Sequence, residues 1–314
     1  MKRKMTAILA ILSFLIVAVF LYNCSPIFMG NLPKGEHKKR IRQSPNYADR
    51  RFQNINPTPF LTDGFWKTMS QPSRRKLTPK NEIPTVKTDF FALNPQENLL
   101  VWFGHSSAYI QLETKRFLID PVFSNYASPV SFFNKAFEGT SIFKTADIPD
   151  IDYLVITHDH WDHLDYSTVK ELKSRIGKVV CPLGVGAHFL RWGYIASDII
   201  EMDWNDTIKL DNDIEIYCLP ARHQSGRGMR RFQSLWASFL IKSPSLTIFM
   251  SGDGGYDTHF ASIGEQFGSI DFALIENGQY NTSWKHIRLF PEEALQASID
   301  LRAKYVIPIH HSRF

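Results

Sequence analysis

The sequence predicts a layered α/β sandwich, and three observations carry that prediction. Ten short apolar runs between Leu99 and Ile309 have strand length and are bounded by turn residues. Helical patterns fall between the later runs, around Tyr166–Arg175, Val185–Trp192 and Glu292–Lys304. Strands set first in hairpins and then alternating with helices build layers on a shared core. The 314 residues are 44% hydrophobic and 21% charged, ordinary for one large globular domain or two small ones, and they show no internal repeat.

The N-terminus differs in texture from the rest. Lys2, Arg3 and Lys4 precede an uncharged apolar run, Met5–Tyr22, and no charge follows until Lys34. That run suits a signal-peptide core or a single membrane-spanning helix. Leu21-Tyr22-Asn23-Cys24 is similar to a lipoprotein cleavage site, but Tyr and Asn stand where small residues belong, so an uncleaved anchor is favoured over a lipoprotein. Positive charge flanks both ends of the run. The cationic N-tail abuts it directly, which favours a domain outside the cytoplasm.

Residues 31–95 read as a basic, extended arm rich in Pro, Asn, Lys and Arg that wraps a domain without being one. Residues 31–90 hold 13 Lys/Arg against 5 Asp/Glu, a net of +8. The whole chain is only +5, and residues 1–30 add three positive charges, so residues 91–314 carry a net −6. The basic balance therefore belongs to the arm. This disfavours a nucleic-acid partner, which needs clustered positive charge on the working domain, and suits contact with anionic headgroups or plain solvation. Cys24, Cys181 and Cys218 are too few and scattered for a disulfide framework or a thiolate zinc cage, so metal chemistry here must use imidazole and carboxylate.

From Leu99 the strand runs begin. Leu99–Phe103, Tyr109–Leu112 and Arg116–Ile119 read as strands joined by turns, and Tyr153–Thr157 as a buried strand. The last of these empties directly into His158-Asp159-His160-Trp161-Asp162-His163. On an extended loop, residues two apart point the same way, so His158 and His160 can chelate one ion. The chain then turns into a helix, and Asp162 and His163 can swing toward a second. Three further candidates stand just past apolar runs: His223 after Ile214–Cys218, Asp253 in a glycine-rich turn after Leu246–Met250, and His310 after Tyr305–Ile309. The remaining runs, Lys178–Cys181, Trp236–Ile241 and Phe272–Ile275, carry no candidate ligand of their own.

Taken together, His158–His163, the spacing to His223, the Gly-Asp-Gly-Gly-Tyr run and Pro308-Ile309-His310 resemble the metallo-β-lactamase superfamily. Trp102–Ser107, Asp120–Ser124 with Ala127-Ser128-Pro129, His163–Tyr166 and Pro291–Ala294 resemble its N-acylphosphatidylethanolamine-hydrolysing phospholipase D branch. The resemblance covers roughly residues 95–314. It implies a four-layer αββα sandwich with two mixed β-sheets and two zinc ions at one edge. His158, His160 and His223 would hold the first ion, Asp162, His163 and His310 the second, and Asp253 would bridge them. The implied reaction is hydrolysis of a membrane phospholipid by a metal-bridging hydroxide oriented by Asp162 or Asp253. A membrane surface is then a partner, and residues 96–314 are the catalytic domain behind an anchor at residues 1–30 and the arm at residues 31–95. A lactonase or other metallo-hydrolase of a small soluble substrate is the alternative, because the same site serves carbonyl substrates. A zinc nuclease and a non-catalytic binding protein rank below these.

Other residues carry weaker expectations. Trp161 lines the pocket mouth and binds substrate, or simply packs. Asp165 caps a helix or supports the metal ligands from behind. His105 orients the site from the first hairpin, and His311 is a ligand only if the register shifts by one. His37, His188, His259 and His286 are structural or solvated. Arg288 stands where relatives carry a His, a departure expected to touch substrate contacts and leave the metals alone. His310 lies four residues before Phe314, and a ligand so near the end is expected to fray unless something clamps it.

Overall fold

Alternation along the strands divides their side chains between two faces, and both faces are covered. Phe117, Ile119, Val155 and Val180 join Ile216, Phe239, Ile241 and Met250 in a central core, while their neighbours Leu118, Leu154 and Val179 face the opposite way. The computed structural model describes residue 13 and residues 26–59, 78–130 and 133–314. One six-stranded sheet has the order β3(Leu99–Trp102), β4(Ala108–Leu112), β5(Lys115–Ile119), β6(Ile151–Val155), β7(Ile176–Pro182) and β8(Ile199–Met202). The other runs β14(Ala303–Ile309), β13(Ile270–Glu276), β12(Thr247–Met250), β11(Ser238–Lys242), β10(Glu215–Leu219) and β9(Thr207–Lys209).

Each sheet is mixed. β3, β4 and β5 pair antiparallel and β5 to β8 parallel; β9 to β12 pair antiparallel and β12 to β14 parallel. The parallel pairs require crossovers, and the helices ride on them. Helices Tyr166–Leu172 and Gly186–Arg191 pack Val169, Leu172 and Phe189 on the outer face of the first sheet. Helices His259–Phe267 and Pro291–Asp300 pack Phe260, Ile263 and Ala297 on the outer face of the second. The result is the four-layer αββα sandwich with two mixed sheets.

Several elements depart from the sequence reading. Gly35–Arg42, read as extended, is a helix whose single buried side chain is Ile41; with one apolar anchor it has no periodicity to detect. Tyr47–Ala48 and Arg51–Phe52 form a small hairpin, β1–β2. The expected helix Glu292–Lys304 stops at Asp300, because Arg302 takes a left-handed φ of 55° and turns the chain into β14. Strands β8 and β9 and the helix His259–Phe267 were not anticipated. The apolar run Met5–Tyr22, Cys24 and the aromatics Phe60, Phe65 and Trp66 lie outside the described residues. Among the described residues no helix is long and apolar enough to cross a membrane.

The arm is stitched into the sandwich at specific points. Ile41 and Phe52 belong to the central core, and Phe52 N–H donates to the Phe232 carbonyl at 2.9 Å. Phe52→Ala should therefore cost about 3–5 kcal/mol, as for other buried aromatics truncated to Ala. Urea unfolding checks this, and a loss below about 1 kcal/mol would mean that the arm adds no core.

Candidate metal centre

Strand ends and tight turns bring the chemistry-bearing side chains together. β6 ends at Val155, and Asp120, just past β5, pins the start of the histidine loop: its carboxylate accepts from Thr157 N–H at 2.8 Å and from Thr157 Oγ1 at 2.6 Å. β12 opens into Ser251-Gly252-Asp253, where Gly252 takes φ +59° and a Cβ would sit 2.9 Å from the Ala237 carbonyl. Only glycine turns there without strain or collision, and the turn aims Asp253 inward. His223 follows β10, and His310 follows β14. His105 and His310 both adopt left-handed φ, 53° and 70°, and His310 N–H donates to the His105 carbonyl at 2.9 Å.

Two groups of potential ligands result: His158, His160, His223 and Asp253, and His105, Asp162, His163 and His310. In the first, His160 Nδ1 lies 2.9 Å from His158 Nε2 and 3.3 Å from His223 Nε2, so three ring nitrogens converge on one point. Asp253 joins the groups. Its Oδ1 is 3.0 Å from His163 Nε2, and its Oδ2 is 3.2 Å from His310 Nε2, 3.6 Å from His223 Nε2 and 3.8 Å from His158 Nε2. His163 Nε2, Asp253 Oδ1 and His310 Nε2 are buried and make no hydrogen bond. Leaving such atoms unsatisfied costs about 1–3 kcal/mol each, more for charged groups. Nitrogen and carboxylate oxygen turned on one point are a donor set that divalent transition metals accept, so the residues fit a metal pair.

The outer nitrogens are held so that the inner ones stay available. His163 Nδ1 lies 2.8 Å from Asp120 Oδ2, His158 Nδ1 is 3.1 Å from Thr157 Oγ1, and His223 Nδ1 donates to the Ile287 carbonyl at 3.3 Å. Such partners fix the tautomer and ring orientation of a ligand.

Electrostatics separate the imidazoles. Burial holds His158 and His223 well below the ordinary range and brings His160 to about 4. Burial pushes His163 down as well, but the Asp253, Asp120 and Asp162 carboxylates outweigh it and hold that ring well above the ordinary range. His310 is raised in the same way: burial opposes, and Asp253 prevails. Burial would raise Asp162 and Asp253; His163 and His105 overcome it at Asp162, and Arg288, His163 and His310 at Asp253, so both stay ionised. The centre is an anionic pair of carboxylates ringed by imidazoles.

All seven expected residues lie in these two groups. His105 is an addition: its Nε2 meets Asp162 Oδ2 at 3.0 Å, and its ring is 4.0 Å from that of His310. His311 is not aimed at the centre; it packs on Trp102 and bonds to Pro308 and Ser312. Asp165 is the helix cap, accepting from Ser167 N–H and from the Ser124 and Thr168 hydroxyls. Trp161 lines a cavity of about 330 Å³ with His160, Asp162, Gln224 and Arg227, and the Arg227 guanidinium stacks 3.8 Å above its ring.

Arg288 and His310 make contacts that the sequence left open. Arg288 Nη1 donates to Asp253 Oδ2 at 2.6 Å, so it reaches the carboxylate that joins the groups. The residues after His310 supply the clamp it needs. Phe314 packs with Val122 and Ala127, Arg313 donates to the Thr140 and Ser124 carbonyls, and the Arg313 carbonyl accepts from Phe137 N–H.

Other supports were missed. Asp120 was legible by the criterion that found His310, an ionisable residue just past an apolar run. Asn54 was not, since only the folded arm brings it to His223, where its side chain accepts from His223 N–H at 3.0 Å and donates to the His223 carbonyl at 2.9 Å. Glu276 is wholly buried, accepts from Leu289 N–H, and is pushed up to about 7 by burial.

Comparisons with known proteins agree with this fold. The family model for a beta-lactamase superfamily domain matches residues 115–311. An uncharacterized protein of Mycobacterium tuberculosis is 35% identical over 283 residues, covering 87% of this chain and 75% of that protein. The N-acyl-phosphatidylethanolamine-hydrolyzing phospholipase D 1 of Caenorhabditis elegans is 29% identical over 294 residues, covering 88% and 83%. Among solved structures, Igni18, a metallo hydrolase of Ignicoccus hospitalis, shares the fold with a TM-score of 0.50 at 23% identity, covering 68% of this chain and 82% of that one.

Asp120→Asn keeps the volume of the side chain and removes the charge behind His163. Divalent-metal binding should weaken about 10–100-fold, read by competition with a chelating indicator. Unchanged affinity would show that His163 does not depend on Asp120.

Proposed function

The chain belongs to the metallo-β-lactamase superfamily, and from that premise we propose that it is a dinuclear zinc phosphodiesterase acting on N-acylphosphatidylethanolamine or a related membrane phospholipid. The observation that carries the reading is the position of Asp253, within 4 Å of imidazole nitrogens from both ligand groups. His158, His160 and His223 are assigned to one ion, Asp162, His163 and His310 to the other, and Asp253 to both. His105 supports Asp162 from behind. The C. elegans relative, similar over most of both chains, supports the substrate class.

A bound metal pair would make water acidic enough to serve as nucleophile near neutral pH and would offset charge on the phosphoryl oxygens. The protein's own residues supply the rest. Asp162 is the centre's partly exposed carboxylate and lines the cavity; ionised, it accepts a hydrogen bond from the attacking water and orients it. Asp253 is wholly buried and holds the two groups at fixed separation. Arg288 places a permanent positive charge beside Asp253, which favours an anionic diester over a neutral carbonyl substrate. Trp161 offers an aromatic face at the mouth for the lipid. Hydrolysis would release phosphatidic acid and an N-acylethanolamine. In this reading residues 1–30 anchor the chain, residues 31–95 brace the site, and residues 96–314 work outside the cytoplasm at a membrane surface.

Metal analysis and a substrate panel test the reading. Two equivalents of zinc and turnover of an N-acylated phospholipid are expected; turnover of a lactone alone would replace the substrate class and leave the metal site standing. His310→Ala should lose one equivalent of zinc and nearly all turnover, and full metal content in that variant would overturn its assignment. Arg288→Gln removes the charged partner of Asp253, and kcat/KM for a phosphodiester should fall about 10–100-fold, the loss of one charge-assisted contact of about 1.5–3 kcal/mol. An unchanged value would remove Arg288 from substrate recognition.

A further inference from the structure

The rim of the cavity combines features that the chemistry at its floor does not use. Gly226, Arg227, Gly228 and Arg231 line the cavity, as do Ala127 and Asn134. In the segment 226–231, Met229 is 95% exposed, flanked by the exposed Arg230 and Arg231. Val130 and Phe133, between Ala127 and Asn134 in sequence, are also exposed. Large apolar side chains on a rim beside positive charge suit a surface that is apolar below and anionic at its boundary.

The described segment 26–59 begins at the same place. The short turn Ile27–Met29 is bound to this rim: Trp192 Nε1 donates to the Ile27 carbonyl at 2.7 Å, Arg227 Nη2 donates to the Phe28 carbonyl at 3.1 Å, and the Phe28 ring lies 6.0 Å from that of Trp161. Met29 reaches the rim segment itself, since a Cβ on Gly228 would sit 3.2 Å from its Cε. Ile27 is half exposed. Pro26 stands only four residues after Tyr22, the last residue of the apolar run. A segment of about four residues spans at most roughly 14 Å when fully extended, so whatever apolar medium receives Met5–Tyr22 lies close to the cavity mouth.

Positive charge is present at the same face. Residues 91–314 carry a net −6, so an anionic surface repels the body of the domain. Arg230 and Arg231 are exceptions on the rim, and Arg51 from the arm lies over the adjoining Phe232 ring. Each basic side chain near an anionic bilayer contributes about 1 kcal/mol, enough to orient an otherwise acidic domain.

We propose that the rim formed by Gly226–Arg231 and Ile27–Met29 is the face that this protein lays on an anionic phospholipid bilayer, with Met229 and Ile27 entering the interface and Arg230 and Arg231 meeting headgroups. The proposal rests on the reading of the substrate as a membrane lipid and adds the orientation: the mouth opens into the headgroup layer, so a phosphodiester enters without leaving the bilayer.

Full-length protein carrying Cys24→Ser and either Met229→Cys or Leu295→Cys, labelled with an environment-sensitive fluorophore, tests the face. Leu295 is 65% exposed on the outer helix Pro291–Asp300. With vesicles of phosphatidylcholine and phosphatidylglycerol containing brominated acyl chains, the label at 229 should shift to the blue and be quenched several-fold more than the label at 295. Equal quenching, or stronger quenching at 295, overturns the proposal. The double variant Met229→Asp/Arg230→Glu should raise the half-saturating concentration of the same vesicles about tenfold and leave turnover of soluble bis(p-nitrophenyl) phosphate unchanged. Unaltered vesicle dependence would also overturn it. The quenching needs no turnover: deep burial at 229 without lipid hydrolysis keeps the face and removes the substrate assignment.

Discussion

The structure depends on one buried carboxylate. Asp253 is wholly enclosed and faces four imidazoles and a guanidinium. A carboxylate taken out of water carries a desolvation cost of several kcal/mol, which only close and well-placed cationic or hydrogen-bonding partners offset. That requirement explains the convergence of strand ends from both sheets. His158 and His163 come from the loop after β6, His223 from β10, His310 from β14, and Arg288 from the segment before the helix Pro291–Asp300. Displacing His163, His310 or Arg288 would leave the charge of Asp253 uncompensated.

Holding the ring of partners costs backbone strain. His105 and His310 sit in left-handed conformations, about 1–3 kcal/mol each for residues other than glycine. Their backbones bond to each other, and the segment after His310 is tied down by Phe314 and Arg313. The strain is local and the anchoring is distributed. The two sheets share one core, so neither half of the centre can shift alone.

The arm is part of the centre's support. It crosses the sandwich at Ile41 and Phe52 and then passes behind the centre, where Asn54 holds both backbone groups of His223. Arg222, one residue earlier, donates to the Pro57 carbonyl and the Thr58 hydroxyl. The turn just before the arm, Ile27–Met29, is bound at the cavity rim. A segment whose charge suggested only solvent or headgroups thus also shapes the walls of the site.

The sequence by itself determined the layered sandwich and most of its strands, and it marked the seven residues that the structure gathers into two groups. These were legible because strand burial writes a period of two into the chain and because a His-x-His-x-Asp-His run at a strand end concentrates metal-binding side chains at chelating spacing. It also determined that imidazole and carboxylate, not thiolate, would carry any metal. Only the tertiary structure decided the rest. Asn54 and His223 are 169 residues apart, and no local pattern pairs them. Arg288 reaches Asp253 because β12 and the segment before the last helix end at the same place. The helix Gly35–Arg42 leaves no periodic trace, since one buried isoleucine anchors it. The end of the chain, expected to fray beside His310, is held by Val122, Ala127, Thr140 and Phe137, which sequence separation hides. Local pattern records what each segment buries; which buried groups meet is set by the packing of whole layers.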